Sequence, residues 1–382
     1  MLFRRYGLVC AIALFVLVAL GVLATASVLP AHSAPNRLVL AFYYPWYDQN
    51  TWNDPVVPDH PPDRYRSTDE GVMARQIDQA RSANIDAFVS AWYGPQEANN
   101  QTETNLRSLL SISQSRSFAV GALVEVAGPF FHSSDDVRGA LAYLLATHAT
   151  RPSYLRWNGK PVIFFWAPGS LRRPVGQSAA AAWQAIRAQV DPDHTSLWIA
   201  DGFDMGLMSV FDGGYLYNIA WSDDLGVPAR QWAARVRATG RLWVGTVMPG
   251  WDDTRIVERA GRYRRDRQGG GWYAASWAGA ASANPGMVVI TSWNEFVENT
   301  HIEPSAQFGS RYLDLTRSLA GAWKVSAPVK LPDPAPAPAV VHPRPTPVPT
   351  PAPALPAPVD PPVAAAELLE CADSMSALCF LR

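Results

Sequence analysis

Eight short, continuously apolar runs punctuate residues 36–326, and segments of helical spacing lie between them. The runs are Leu38–Tyr43, Ile85–Trp92, Phe118–Val126, Pro161–Trp166, Ser196–Ala200, Tyr215–Trp221, Leu242–Met248 and Met287–Trp293. A strand that is apolar at every residue is buried on both faces, the condition of a parallel sheet covered by helices. Thr68–Ala83 has the helical pattern: Thr68 can cap it, Asp69 and Glu70 occupy its first turn, and Val72, Met73, Ile77 and Ala80 share one face. Ser178–Val190, Pro228–Thr239 and Ser310–Trp323 read the same way. Eight β runs with helical connections in about 290 residues predict a (β/α)8 TIM barrel. A doubly wound open sheet is the second choice, but no G-x-G-x-x-G follows the first strand, where that fold most often carries it.

The flanks differ in kind. Residues 1–35 begin with Arg4 and Arg5, followed by an uncharged apolar run from Leu8 to Val28 and a small-x-small site at Ala24-Thr25-Ala26. Such a segment is either a cleaved export signal or, through residues 8–28, a retained membrane anchor. In both cases the arginines favour the cytoplasm, which places the barrel outside it. Residues 327–363 hold fifteen of the 33 prolines and read as a semi-rigid polyproline II spacer. A short tail, 364–382, follows and carries Cys371 and Cys379. The third cysteine, Cys10, lies in the N-terminal run, so the barrel region carries neither a disulfide framework nor a thiolate metal site.

Charge excludes one class of partner. With 32 basic and 33 acidic residues the chain lacks the cationic surplus that nucleic acid demands. It is instead rich in aromatics, with 15 Trp, 13 Tyr and 14 Phe. Aromatic rings are core material and also platforms for sugar rings.

A barrel of this type builds its active site at the C-terminal ends of its strands. The first run ends in Tyr43, Tyr44 and Trp46, and the second in Trp92 and Tyr93. Glu125, Trp166 and Asp201 end the third, fourth and fifth, and Trp221 the sixth. Trp251 and Asp252 follow the seventh, and Trp293, Asn294, Glu295, Glu298 and Glu303 come with the eighth. Aromatic faces and carboxylates repeated around one rim suit a carbohydrate, since rings stack on the aromatics and hydroxyls donate to the acids.

Glycoside cleavage needs a proton donor for the leaving oxygen and a second carboxylate acting on the sugar. Glu295 and Glu298 are three residues apart, and a helical turn there would bring both to one face. Close carboxylates push their pKa values apart, so one can keep its proton while the other is ionised. No cofactor and no metal are expected: His301 and Glu303 with Asp252 and Asp253 could make an oxygen-rich site, but no H-E-x-x-H is present. A G-x-S-x-G elbow is also lacking. Asn100-Gln101-Thr102 is a glycosylation sequon.

The segment Ser292-Trp293-Asn294-Glu295-Phe296-Val297-Glu298-Asn299-Thr300-His301-Ile302-Glu303-Pro304 resembles the strand-eight signature of the glycoside hydrolase family 99-like group, which includes endo-α-1,2-mannosidases. Ala41–Tyr47, Ser90–Pro95 and Met248–Ile256 resemble three further stretches of that group, in the same order. The resemblance covers the whole barrel and neither flank. It implies a (β/α)8 fold and a retaining reaction in which the sugar 2-hydroxyl displaces the leaving group through a 1,2-anhydro intermediate. It further implies Glu295 as the base on that hydroxyl, Glu298 as the acid on the leaving oxygen, and no metal. Two positions depart from the pattern. Asn299 stands where Gly is usual, and Trp251 stands where the mannosidases carry Tyr.

Two other readings compete with hydrolysis: a non-catalytic carbohydrate-binding or scaffold protein, and a transglycosylase in cell-surface polysaccharide processing. The binding-only reading gains if either Glu295 or Glu298 is locked in a buried ion pair.

Overall fold

The computed structural model describes residues 37–327. The export or anchor segment, the proline-rich spacer beyond residue 327 and the cysteine-bearing tail lie outside the described residues. Among the described residues no helix is long and apolar enough to cross a membrane.

Eight parallel strands close into a barrel: β1 (Leu38–Tyr43), β2 (Ala87–Trp92), β3 (Ala119–Glu125), β4 (Lys160–Trp166), β5 (Leu197–Asp201), β6 (Gly213–Tyr215), β7 (Leu242–Val247) and β8 (Met287–Ile290). β1 pairs with both β2 and β8, in the registers Leu40↔Ala87 and Leu38↔Met287. Closure on the far side comes from β3 with β4, where Glu125 sits opposite Trp166. The expected barrel is therefore present.

Among the described residues, seven helices cover it: α1 (Glu70–Ser82), α2 (Gln101–Gln114), α3 (Ser134–Thr147), α4 (Ala179–Val190), α5 (Gly226–Ala238), α6 (Gly271–Ser282) and α7 (Arg311–Val325). The eighth connection, β5 to β6, is a five-residue 3-10 turn, Met205–Ser209. Asp69, rather than Thr68, caps α1, with its carboxylate accepting from Gly71 N and Val72 N. Asn100 caps α2, and its buried side chain is used up by Thr102 and by Gly94 O, so the sequon is not an exposed acceptor.

Strand six needs a correction. It covers Gly213–Tyr215, not Tyr215–Trp221. Its first two residues are glycines, which carry no apolar side chain for a periodicity argument to read. Gly213 is required there, because a Cβ would lie 2.8 Å from both Leu242 O and Ile199 Cδ1. The apolar residues after Tyr215 continue as a loop, whose Tyr217 N is taken by the Asp201 carboxylate at 2.8 Å.

Alternation along the strands divides the core in two. Val39, Ala41 and Tyr43 pack outward against the helices, as do Phe88, Trp92, Ile163, Phe165, Val288 and Trp293. Leu40, Phe42, Tyr44, Val89, Leu123, Phe164, Ile199, Tyr215 and Val289 fill the interior. Phe42, Phe164 and Tyr215 form an aromatic floor, with ring centroids 5.4–5.8 Å apart. At the opposite pole, the Arg37 guanidinium donates to Trp323 O, and to Ser326 O and Oγ at 3.0 and 2.7 Å, tying the start of β1 to the end of α7.

Candidate active site

The interior row of each strand, extended past its C-terminal end, determines which side chains reach the mouth. Glu125 ends β3 in step with Leu123, Trp166 ends β4 in step with Phe164, and Asp201 ends β5 in step with Ile199. Tyr44, Tyr93 and Tyr217 continue the interior rows of β1, β2 and β6. Three expected ligand contacts fall on the other row. Tyr43, Trp92 and Trp293 are fully buried in the helix layer. Tyr43 Oη donates to Gln76 at 2.7 Å and Trp92 Nε1 to Glu103 at 2.7 Å, so they serve packing rather than binding.

After β8 the chain makes a tight turn, not the helical one considered from the spacing. Thr300 N donates to Glu295 O at 3.1 Å, and Ser292 N to Thr300 O at 2.9 Å. The turn requires a left-handed residue, and Asn299 supplies it at φ 52°. Its side-chain carbonyl and backbone carbonyl both accept from Arg267 Nη2, at 3.1 and 2.9 Å, a contact that glycine could make only in part. Asp252 N donates to Glu298 O at 2.9 Å and joins this turn to the loop after β7.

Glu295 is buried among the barrel aromatics. Its Oε1 accepts from Val297 N at 3.0 Å and lies 3.5 Å from Tyr47 Oη. Glu298 accepts from Tyr217 Oη at 3.1 Å and from Arg259 Nη1 at 2.7 Å. The same Arg259 nitrogen is 3.2 Å from Asp253, whose other oxygen takes Tyr263 N. Since Tyr217 spends its proton on Glu298, the 2.6 Å contact between the Tyr44 and Tyr217 hydroxyls has Tyr44 as donor.

Burial raises the pKa of both glutamates. For Glu295 the charge of Glu298 adds to the effect of burial; for Glu298 the Arg259 cation and the Tyr217 hydroxyl oppose it. Burial also lifts Glu125 well above its usual range, helped by Glu295, Glu298 and Asp201, and pushes Asp201 up to about 6. Four carboxyls thus share one poorly solvated mouth that cannot accommodate four negative charges. Tyr44 and Tyr217 are held neutral by burial and by neighbouring carboxylates, so they act as donors.

Aromatics line the same space. Trp46 packs on Tyr44 at 4.7 Å and on Tyr93 at 5.8 Å. Trp251 stacks on Tyr263, with Arg259 5.8 Å above its ring. Among the described residues the Trp251 indole N–H has no hydrogen-bond partner. Asn294 does not point a free amide at the mouth: it bridges Tyr44 N, Tyr44 O and Tyr65 Oη. Glu303 is buried against Gln76 and Tyr65, and burial pushes it up to about 7. His301 faces Asp59 at 3.1 Å, so His301, Glu303 and Asp253 engage separate partners rather than one oxygen-rich cluster. Asp252, half-buried, caps Thr254. Trp221 stands apart, half-exposed on the loop beyond Tyr217.

Residue-by-residue reading of the sequence missed Tyr217 and Arg259. Tyr217 would have followed from the correct register of β6, two residues past Tyr215. Arg259 sits in an irregular loop and gives no periodic signal.

By itself the Arg259–Glu298 pair counts toward a binding-only protein, although Arg259 keeps 26% of its side-chain surface exposed and the pair lies at the mouth. Comparison with known proteins decides for hydrolysis. The model of glycosyl hydrolase family 99 matches residues 52–321. The rat glycoprotein endo-alpha-1,2-mannosidase is 24% identical over 332 residues, covering 73% of this chain and 71% of the relative. A human glycoprotein endo-alpha-1,2-mannosidase-like protein is 23% identical, covering 69% and 67%. The family 99 endo-alpha-mannosidase of Bacteroides thetaiotaomicron superposes with a TM-score of 0.64 at 22% identity, over 76% of this chain and 98% of that one, and so shares the fold. With the matched segment spanning most of the barrel and the carboxylate turn at its mouth, the chain belongs to glycosyl hydrolase family 99 and is a glycoside hydrolase.

Proposed function

We propose that the protein cleaves an α-mannoside or closely related glycan with retention of configuration, with Glu295 as base and Glu298 as acid. The observation that carries this reading is the pair of buried glutamates on one turn, Glu298 held by a neutral Tyr217 and both sharing the mouth with Glu125 and Asp201. The relatives' names supply the sugar. In the reaction Glu295 removes the 2-hydroxyl proton as that oxygen attacks C1. The C1–O bond to the leaving group breaks, and Glu298 gives its proton to the departing oxygen. Water then opens the 1,2-anhydro sugar, returning a proton to Glu298, while O2 recovers the proton held by Glu295.

The resting charges run the other way. Arg259 favours ionised Glu298, and burial favours neutral Glu295. One proton shared by the pair resolves this, because the substrate chooses its place. A 2-hydroxyl donating to Glu295 stabilises that carboxylate, and a leaving oxygen accepting from Glu298 stabilises that acid. Tyr44, Trp46, Tyr93, Glu125, Trp166, Asp201, Trp251 and Asp252 surround the reacting sugar in this reading. Trp251 in place of a phenol changes one wall of the pocket from a hydroxyl donor to an indole, so the preferred linkage differs from that of the mannosidases.

The test is substitution of Glu295 and Glu298 by Gln, one at a time, with release measured from an aryl α-mannoside and from a panel of oligosaccharides. The Glu298→Gln variant should lose unactivated glycans and retain part of its activity on an aryl leaving group that needs no proton. Wild-type rates of Glu298→Gln on an unactivated glycan would overturn the acid assignment.

Residues 1–35 serve export, so the barrel works outside the cytoplasm, secreted or held by residues 8–28. Support comes from the paired arginines, the uncharged apolar run and the small-x-small site. N-terminal sequencing of the mature protein separates the two outcomes.

A further inference from the structure

Large aromatic side chains in this barrel are buried almost everywhere, and the exceptions gather in one place. Phe203 is 54% exposed and Trp221 47% exposed, with ring centroids 6.0 Å apart. Half-buried Trp232 on α5 supports Phe203 from below at 4.9 Å, and Arg235 in turn covers Trp232 at 4.8 Å. The rings are fixed. Trp221 Nε1 donates to Asn218 O at 2.9 Å, and the Asn218 side chain accepts from Ala220 N at 2.8 Å and from Tyr263 Oη at 3.1 Å. Asp204 caps the 3-10 turn that follows Phe203. Two large rings kept half in water on braced loops forgo burial that a core position would provide.

The patch follows the mouth closely along the chain. Tyr217, which donates to Glu298, and Trp221 lie four residues apart on the loop after β6. Asp201, whose carboxylate takes Tyr217 N, is two residues from Phe203 on the loop after β5. Four residues of chain reach at most about 14 Å, a span of a few sugar units. The rim of the patch is polar: the Asp223 side chain is 92% exposed and pairs with Arg265 at 2.7 Å, and Ser222 stands between Trp221 and Asp223. Apolar ring faces beside an exposed carboxylate match the two sides of a pyranose.

We propose that Phe203 and Trp221 form a remote subsite that stacks a pyranose of the same glycan whose scissile bond lies at Glu295 and Glu298. The inference rests on the glycosidase reading above and extends it: the natural substrate is a chain longer than the unit cut, running outward over the β5 and β6 loops.

Affinity electrophoresis of the full chain through gels containing soluble yeast α-mannan tests the platform without catalysis. Wild type should be retarded, W221A less so, and the F203A/W221A double variant should migrate as it does without mannan. W221F, which keeps a ring, should recover part of the retardation. In parallel, the ratio of kcat/KM on a long linear α-mannooligosaccharide to that on an aryl α-mannobioside should fall roughly tenfold in the double variant. Retardation of the double variant equal to wild type, no retardation of wild type, or equal losses on long and short substrates would overturn the proposal. So would wild-type mannan retardation in the double variant alongside loss of a protein complex, which would make the patch a protein contact. If no substrate is hydrolysed but the double variant still loses retardation, the subsite stands and the catalytic reading falls.

Discussion

Arg259 Nη1 lies 2.7 Å from Glu298 Oε1, so the carboxyl proposed as the acid rests against a cation. Asp253 shares that cation, Tyr217 donates to the other Glu298 oxygen, and the charges of Glu295 and Glu125 act across the mouth. Arginine favours the ionised form and therefore holds the pKa of Glu298 below what burial alone would give it.

Replacing Arg259 by Met removes the positive charge and raises the pKa of both glutamates. Both limbs of the pH profile of kcat/KM should move to higher pH, by roughly 1–3 units. Arg259→Lys should move them less. A profile that stays in place while the rate falls would show that Arg259 only shapes the loop.

Tyr217→Phe removes the hydroxyl donor to Glu298 and leaves Tyr44 without its acceptor. A hydrogen bond to a charged group contributes about 1.5–3 kcal/mol, so kcat should fall roughly 10- to 100-fold. Steady-state kinetics on an unactivated glycan measures it, with KM nearly unchanged.

Glu125 is buried beside three other carboxyls, and its pKa is raised in the folded protein. A carboxyl raised in this way ionises earlier in the unfolded chain, so stability falls as pH climbs from the ordinary 4.5 through the folded value. Glu125→Gln removes that penalty. Its Tm should match wild type near pH 4 and exceed it by roughly 2–4 °C at pH 8, with activity lost. Thermal unfolding at both pH values decides; a gain at pH 4 as large as at pH 8 contradicts the electrostatic account.

Asn299 combines a left-handed backbone with two bonds to Arg267. Asn299→Ala keeps only one of these bonds and loses the polar side chain by which Asn tolerates left-handed backbone, so it should cost about 2–4 kcal/mol in urea unfolding. Asn299→Gly escapes the strain and should cost less. The reverse order would mean that the side-chain bond outweighs the backbone.

Wherever side chains carried the pattern, the sequence was readable. The strand runs and the carboxylates at their ends predicted the barrel and its mouth, because a buried strand leaves a continuous apolar signature. Strand six was displaced, since Gly213 and Gly214 carry no side chain to show the pattern and the loop Tyr215–Trp221 reads as strand. The same slip hid Tyr217. Tyr43, Trp92 and Trp293 were placed at the rim by proximity alone. Alternation turns each of them outward, a consequence of which row of its strand it occupies rather than of its chemistry. Arg259 depends on a loop conformation that no local spacing encodes.

The bonds from Arg37 to Ser326 bring the two ends of the barrel together at the pole opposite the reacting carboxyls. This adjacency permits the chain to be cut in a surface loop and its old ends joined. A circular permutant opened between Asn158 and Gly159, in the exposed turn that leads into the N-terminal end of β4 on the side away from the mouth, should retain the barrel and its chemistry with a different order of elements.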